Sequence, residues 1–537
     1  MCGIAGYVGS DHPDTSAQIL RRMVDAIARR GPDSEGIAQW PGALLGHRRL
    51  AILDLSEAGR QPMLSDNGRI GIVFNGCIYN FIDLRRELES YGHSFRSNCD
   101  TEVLIKGYQQ WGAQALVPRL RGMFAFAIWD ADRRVLTLAR DRLGVKPLVF
   151  AAEGGRIAFA STVGALRAAG LVHEIDPAAV LEFLEFGYVT EDRTIFRGAA
   201  KLPPATILEW KDGLMEQRTY WTLPRSAESV PVTFEEAIEE TERLLLESVR
   251  LRLCSDVPIG ALLSGGIDSA LVCWATAKLN ADIRAYTIST PGDPADEAPA
   301  TLRTARILGI PHEVVQLPRD SDNILDDLTN AYGEPFGCSS ALAMLRVSGA
   351  VKPFATVLLT GDGGDDVFLG YSFHRNFLRT QRIARLLPSF AGSAWSALRP
   401  LVNGFAPLRR GKHFLDYATG GLGAVARAHN GLPYYTGRLG QRLAGLELAQ
   451  RTIPLSAQSA RKLLEEFLDY QQRMWFVAEF MTKVDGATMY YGLEARSPFL
   501  DHKLWEFAAA IPQDVRLRGG VLKAILREIV SRRISPE

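Results

Sequence analysis

Three short stretches of the chain carry residue types that do chemistry. The first is Cys2 in the opening MCGIAGYVG. Removal of the initiator methionine would place an α-amine beside this thiol, and an α-amine of pKa about 8 is a general base close to working pH. Directly or through a water, it can take the thiol proton and leave a strong nucleophile. The second stretch, residues 264–269 (SGGIDS), follows the apolar run 257–263 (VPIGALL) and leads into a helical pattern. Gly265 and Gly266 let the backbone approach an anion, and the start of a helix offers free N–H groups with partial positive charge. Ser264 and Ser269 add hydroxyls, so the loop suits a pyrophosphate. No lysine follows the glycines, which separates it from the lysine-bearing P-loop. The third, residues 360–366 (TGDGGDD), also ends an apolar run, 356–360 (TVLLT). Ligands of such sheets sit at the carboxyl ends of strands, so the two loops can face one site. Asp268 and Asp365 are then the carboxylates placed for the Mg2+ that accompanies a nucleotide, since hard cations prefer carboxylate oxygens.

Two kinds of scaffold must hold these residues. Runs 70–75 (IGIVFN), 123–129 (MFAFAIW) and 134–139 (RVLTLA) are strand-like and are separated by turn residues such as Asp66-Asn67-Gly68 and Gly154-Gly155. Helical stretches lie at 15–30 and 81–91, giving an α+β pattern of hairpins. Residues 222–233 (TLPRSAESVPVT) read as a linker. The predicted domains are therefore 1–221 and 234–537. In the second, an amphipathic helix at 234–253 precedes strands at 257–263, 285–289 and 356–360 that alternate with helices, the pattern of a parallel α/β sheet. The stretch 381–462 is helix-like and carries no motif.

Bulk properties narrow the function. Lys+Arg and Asp+Glu each number 61 in 537 residues, so the chain lacks the basic excess of a nucleic-acid binder. Six scattered cysteines form no C-x-x-C pair, which argues against a zinc site or a disulfide framework and fits a reducing, cytoplasmic setting. No signal peptide and no apolar run long enough for a membrane span is present.

With those residues in view, the pair SGGIDS and TGDGGDD resembles the PP-loop ATP pyrophosphatase domain of asparagine synthetases, which cleave ATP to AMP and pyrophosphate and form an acyl-adenylate. The resemblance implies that Leu262 and Ile288 contact adenine, that Thr360 and Gly361 contact the nucleotide, and that Asp362 serves adenylate formation. Asp296-Glu297 is similar to the family's D-E-S-P segment, residues 483–501 (KVDGATMYYGLEARSPFLD) to a further segment, and Lys523 to the lysine of K-x-x-L-R, expected at the reacting groups. The N-terminal part resembles class II glutamine amidotransferases of the N-terminal-nucleophile type, a four-layer αββα fold. Residues 30–33 (RGPD), 47–54 (HRRLAILD) and 140–147 (RDRLGVKP) match family segments in order. The resemblance implies Arg49 as clamp for the glutamine carboxylate, Leu53 and position 77 in the same pocket, Asn75 and Gly76 as the oxyanion hole, and Asp100 as partner of the substrate ammonium. It further implies glutamine and ATP with Mg2+, aspartate as the first candidate for the carboxylate, internal passage of ammonia, and a homodimer.

Four departures stand out. Cys77 replaces the glutamate of N-G-E-I-Y-N, which predicts weakened glutamine binding unless Asp100 suffices. Thr162 replaces the glutamate of F-A-S-E-I, near the expected domain interface. Cys338 replaces the aspartate of E-P-F-x-D. The chain ends at Glu537, where family members usually continue into R-x-K-x-x-F, so a covering segment over the site is expected to be missing or cut off. The alternatives to aspartate are a sugar uronate or natural-product acid, or an idle paralogue.

Overall fold

The structure is a computed structural model that describes residues 2–9, 12–190, 192–223, 231–294, 296–317, 323–384, 386–388, 390–402, 414–416, 418, 468–469 and 471–535. Much of the expected linker, and most of the helix-like stretch 381–462, lie outside the described residues.

The N-terminal region is built on two six-stranded sheets, and all the strand pairs within them are antiparallel. In one, Gly3–Val8 lies between Ala43–Arg49 and Arg156–Ala160. Its six residues are all buried, which explains why GIAGYV is apolar without alternation. In the other, Ile70–Ile78 pairs with Gly122–Asp130 over its whole length, placing Asn75 opposite Ala125 and Gly76 opposite Phe124. The strand runs three residues past the expected end at 75, so the chemistry-bearing Asn75, Gly76 and Cys77 ride on a rigid ladder and not on a turn. Ile4, Val8, Leu45, Val73, Ala127, Leu138 and Trp210 fill the space between the sheets. Helix Pro13–Ala26 packs Leu20, Met23 and Val24 on the outer face of the first sheet. Helices Phe81–Ser90 and Asp100–Leu116 cover the second with Leu84, Leu88, Val103 and Leu104. This is the expected αββα layering.

The C-terminal region is an α/β unit. Its five-stranded sheet runs in the order His312–Gln316, Arg284–Ser289, Ile259–Leu262, Val357–Leu359, Glu494–Arg496, every pair parallel. Helix Phe234–Arg252 begins with a capping box between Thr233 and Glu236. Its Leu244, Leu245 and Val249 share one core with Leu271 and Val272 of helix Ile267–Lys278 and with Ile525, Leu526 and Ile529 of helix Ala524–Arg533. No helix among the described residues is long and apolar enough to cross a membrane.

Buried ion pairs join the two regions. Arg30 Nη1 lies 2.8 Å from Asp485 Oδ2, Arg121 Nε 2.9 Å from Asp501 Oδ2, and Lys201 Nζ 2.6 Å from Glu334 Oε1. Two of the matched segments are therefore structural. Arg30 of RGPD pairs across the boundary. Asp141 of RDRLGVKP accepts from the N–H groups of Phe124, Leu143, Val145 and Lys146 and so shapes its own turn.

Candidate active sites

Cys2 enters at the first residue before strand Gly3–Val8, and Asn75 sits on the facing sheet. The Cys2 N–H donates to Asn75 Oδ1 at 3.0 Å. The other end of that amide, Asn75 Nδ2, is buried with no hydrogen-bond partner. A buried donor left open is what a developing oxyanion requires. Gly76 follows because its backbone lies against the neighbouring strand: a Cβ there would stand 2.1 Å from the Met123 carbonyl oxygen. Burial pushes the Cys2 thiol up, so the group needs a base to ionise.

Cys2, Arg49, Leu53, Gly76, Cys77 and Asp100 line one cavity of about 40 Å3. Of the expected donor-binding residues the structure gathers Arg49, Leu53, Gly76, Cys77 and Asp100 here, while Asn75 stays out of the cavity lining and is tied to it through the Cys2 N–H. Arg49 uses Nη1 on the Ser56 carbonyl at 3.1 Å and Nη2 on the carbonyls of Leu53 and Asp54, which fixes its guanidinium at the pocket wall. Asp100 Oδ2 accepts from Ile78 N–H at 2.8 Å. Burial raises the Asp100 carboxyl to about 6 despite that bond, with Glu494 adding to the rise and Arg496 opposing it. Glu494 and Arg496 line the same cavity from the other region's edge strand. In the sequence, GLEARSP signals no role of its own; a three-residue edge strand has no periodicity to reveal which domain it faces.

The second cluster forms at the carboxyl ends of the parallel strands. Ser264 and Ser269 hydroxyls are 2.8 Å apart, Gly266 N–H donates to Ser264 Oγ at 3.2 Å, and Gly266 caps helix Ile267–Lys278. Glu297 lies against Gly265, so the D-E-A-P segment reaches this loop. Asp268 Oδ2 and Asp365 Oδ1 each lie 2.7 Å from Lys523 Nζ. Asp362 Oδ2 accepts from Thr360 Oγ1 at 2.7 Å. Leu262 and Ile288 are neighbours, half-buried against one apolar cluster at the ends of adjacent strands. Burial raises Asp268 to about 6 although the Lys523 ammonium opposes it. Its Oδ1 is buried without a partner. Both carboxylates converge on the Lys523 ammonium, and the open Asp268 Oδ1 is the oxygen left to meet a hard cation, whose other ligands would come from phosphate and water.

The two clusters are physically connected. Thr360 N–H, at the head of the nucleotide loop, donates to the Arg496 carbonyl at 3.0 Å, while the Arg496 side chain lines the Cys2 pocket. Between the regions lies a further cavity of about 60 Å3, with Arg30, Thr162, Lys201, Glu334 and Asp485 among its walls. Thr162, one of the four departures, therefore faces the boundary, as its position in the sequence implies.

An N-terminal-nucleophile amidotransferase domain followed by a PP-loop synthetase domain is the class these features define. Comparison with known proteins matches two families in turn along the chain. The glutamine amidotransferase domain family matches residues 1–221, and the asparagine synthase family matches residues 240–537. Asparagine synthetase (glutamine-hydrolyzing) 1 of Bacillus subtilis is 31% identical over 549 residues, covering 98% of this chain and 84% of that protein. Asparagine synthetase (glutamine-hydrolyzing) 3 of the same organism is 29% identical, with the same coverage of each chain. Amidase chyE of Penicillium rubens is 28% identical and covers 96% of this chain and 83% of its own. The chain belongs to the glutamine-hydrolysing asparagine synthetase family.

Proposed function

We propose that the protein hydrolyses glutamine at Cys2 and passes the ammonia to an ATP-activated carboxylate at the Asp268–Lys523 cluster, making an amide. The observation that carries this is Asn75, whose Oδ1 holds the Cys2 nitrogen and whose Nδ2 is buried with no partner. After methionine removal the Cys2 amine takes the thiol proton, and the thiolate attacks the glutamine side-chain amide. Asn75 Nδ2 and Gly76 N–H take the oxyanion. The C–N bond breaks, ammonia leaves, and water later hydrolyses the thioester to glutamate and free Cys2. The route for ammonia is the boundary between the regions, where Thr162, Arg30 and Asp485 surround open space.

At the second site the acid's carboxylate oxygen attacks the α-phosphorus of ATP, pyrophosphate leaves, and ammonia displaces AMP from the acyl-adenylate. Ser264, Ser269 and the N–H groups of the 264–269 loop would receive the pyrophosphate. Leu262 and Ile288 would flank the base, with Thr360 and Gly361 beside the nucleotide and Asp362 close to the reacting groups. Lys523 would place its charge on the phosphoryl oxygens. Asp268 and Asp365 would hold Mg2+, which supplies neutralisation of the leaving pyrophosphate.

Aspartate is the first acid to test. A larger, more apolar acid is favoured by one observation: the Tyr371 ring, which feels the charges of Asp366, Asp365, Asp362 and Asp268, is stacked on Phe373 at 5.0 Å and on Phe480 at 5.8 Å between centroids. Pyrophosphate release from ATP with ammonium present, screened over aspartate, sugar uronates and aryl or peptidyl acids, tests both. Release with aspartate alone makes this an asparagine synthetase, release with another acid reassigns the substrate, and silence across the panel overturns the ligase reading. Cys2→Ala should abolish glutamine-dependent amidation and keep ammonium-dependent turnover; loss of both overturns the two-site relay.

A further inference from the structure

The Cys2 pocket has a charge pattern at odds with strict recognition of an α-amino acid. Four ionisable side chains besides the cysteines line it: Arg49, Arg496, Asp100 and Glu494. Glu494 accepts from Arg496 Nε, and Asp100 Oδ2 is engaged by the Ile78 N–H. Arg496 is 0% exposed. Its Nη1 donates to the carbonyls of Arg252 and Cys254, each at 2.7 Å. Its Nη2 is buried and has no partner. Beside it, where the family places a glutamate, stands the Cys77 thiol, 2% exposed and kept neutral by burial, with Arg496, Asp100 and Glu494 the nearest charges acting on it. At that end of the pocket a ligand therefore meets an open guanidinium N–H and two carboxylates, Asp100 and Glu494, each already engaged through one oxygen. A cation there lacks the further charge-assisted hydrogen bond that a glutamate at position 77 would supply, and it faces the open Nη2 of Arg496, whose Nε is paired with Glu494. An anionic end still finds two guanidinium groups.

Building on the proposed glutaminase role of Cys2, we infer that Cys77 and Arg496 set the donor specificity of this pocket, so that it takes ω-carboxamides of small carboxylic acids whether or not they carry an α-ammonium group. The covalent step is unchanged: the Cys2 sulfur–acyl bond forms, the amide C–N bond breaks, ammonia leaves with the proton taken from the thiol, and water regenerates Cys2. Arg496 acts as an anion contact delivered by the synthetase domain, and Cys77 removes the ammonium's second partner.

The test is Cys2-dependent ammonia release by the full-length protein from L-glutamine, glutaramate and N-acetyl-L-glutamine. A kcat/KM for glutaramate within about 150-fold of that for glutamine is expected, because one missing charge-assisted hydrogen bond accounts for roughly that factor at most. A larger preference for glutamine overturns the inference. Cys77→Glu should raise the glutamine-over-glutaramate ratio at least about tenfold, and Cys77→Gln, uncharged, should leave it unchanged. An unchanged ratio in folded Cys77→Glu overturns the inference, and if that variant does not fold the wild-type ratio alone decides. Hydrolysis of none of these donors, with ammonium-dependent pyrophosphate release intact, overturns the glutaminase reading and this inference with it.

Discussion

One asparagine amide serves two purposes in the first site. Asn75 Oδ1 holds the Cys2 nitrogen, the base of the proposed hydrolysis, and Nδ2 is a buried open donor for the proposed oxyanion. Asn75→Asp keeps an acceptor for the Cys2 nitrogen and deletes the donor. It should lower kcat for glutamine hydrolysis by roughly a hundred- to a thousandfold with little change in KM, measured by steady-state ammonia release. Asp100 gives a second prediction at this scale. Burial raises its carboxyl to about 6, with Glu494 pushing in the same direction and the Ile78 N–H and Arg496 opposing. In the proposed role as partner of the donor ammonium, this carboxylate is charged above pH 6 and loses its charge below it. KM for glutamine should rise by up to about tenfold as pH falls through 6, while KM for glutaramate, which has no ammonium, stays level. Parallel rises for both donors would locate the titration elsewhere.

At the scale of elements, the second site depends on loops packed too tightly for side chains. A Cβ on Gly364 would lie 2.5 Å from Asp268 Cγ, and one on Gly370 would lie 1.8 Å from Asp365 Oδ1 and 2.3 Å from Lys523 Cε. Lys523 itself adopts φ 53°, a left-handed backbone that aims its side chain back into the loops from the start of helix Ala524–Arg533. Gly370→Ala should displace the carboxylate and the ammonium together. Acid-dependent pyrophosphate release should fall by at least about a hundredfold while glutamine hydrolysis persists, since a shift of about 1 Å at a reacting centre is enough for such a loss. The same packing explains what was legible in the sequence. A glycine run at the end of an apolar strand is a local signal, so the loops 264–269 and 360–366 stood out in the sequence as candidates for a phosphate site, and the strands and helices that carry them follow from periodicity. Asn75, Gly76 and Cys77 were legible as a segment but read as the end of a strand, because glycine at its middle weakens the pattern. The reach of Glu494 and Arg496 into the Cys2 pocket was not legible, since only tertiary contact decides which domain a short edge strand serves.

At the scale of the whole molecule, the boundary between the regions is held by charges taken out of water, and such pairs are unforgiving of partial loss. Asp501 accepts from Arg121 at Nε and Nη2, at 2.9 and 3.0 Å, and from Arg252 Nη1 at 3.2 Å. Its Oδ1 also accepts the Lys503 N–H at the start of helix His502–Ala510. Burial alone would raise this carboxyl; Arg252 and Arg121 hold it down, to about 2. A carboxyl depressed in the folded state stabilises above its ordinary pKa and loses that contribution as pH falls through the folded value. With an ordinary value of 3.8 and a folded value of about 2, the contribution is about 2 kcal/mol, complete above pH 4 and lost between 4 and 2. Asp501→Asn keeps an oxygen to cap the helix and removes the charge, leaving the Arg121 and Arg252 guanidinium groups buried without the carboxylate between them. The cost should be about 3–5 kcal/mol, the range for breaking a buried pair from one side. In denaturant titrations the gap between wild type and variant should be constant from pH 7 to 4 and narrow below 4. Because Arg121 belongs to one region and Asp501 to the other, the lost stability should appear as earlier separation of two transitions. Glutamine hydrolysis and pyrophosphate release should each survive at denaturant concentrations where glutamine-dependent amidation has already failed. Simultaneous loss of all three activities would mean that the Arg121–Asp501 contact supports the fold of each region and not their union.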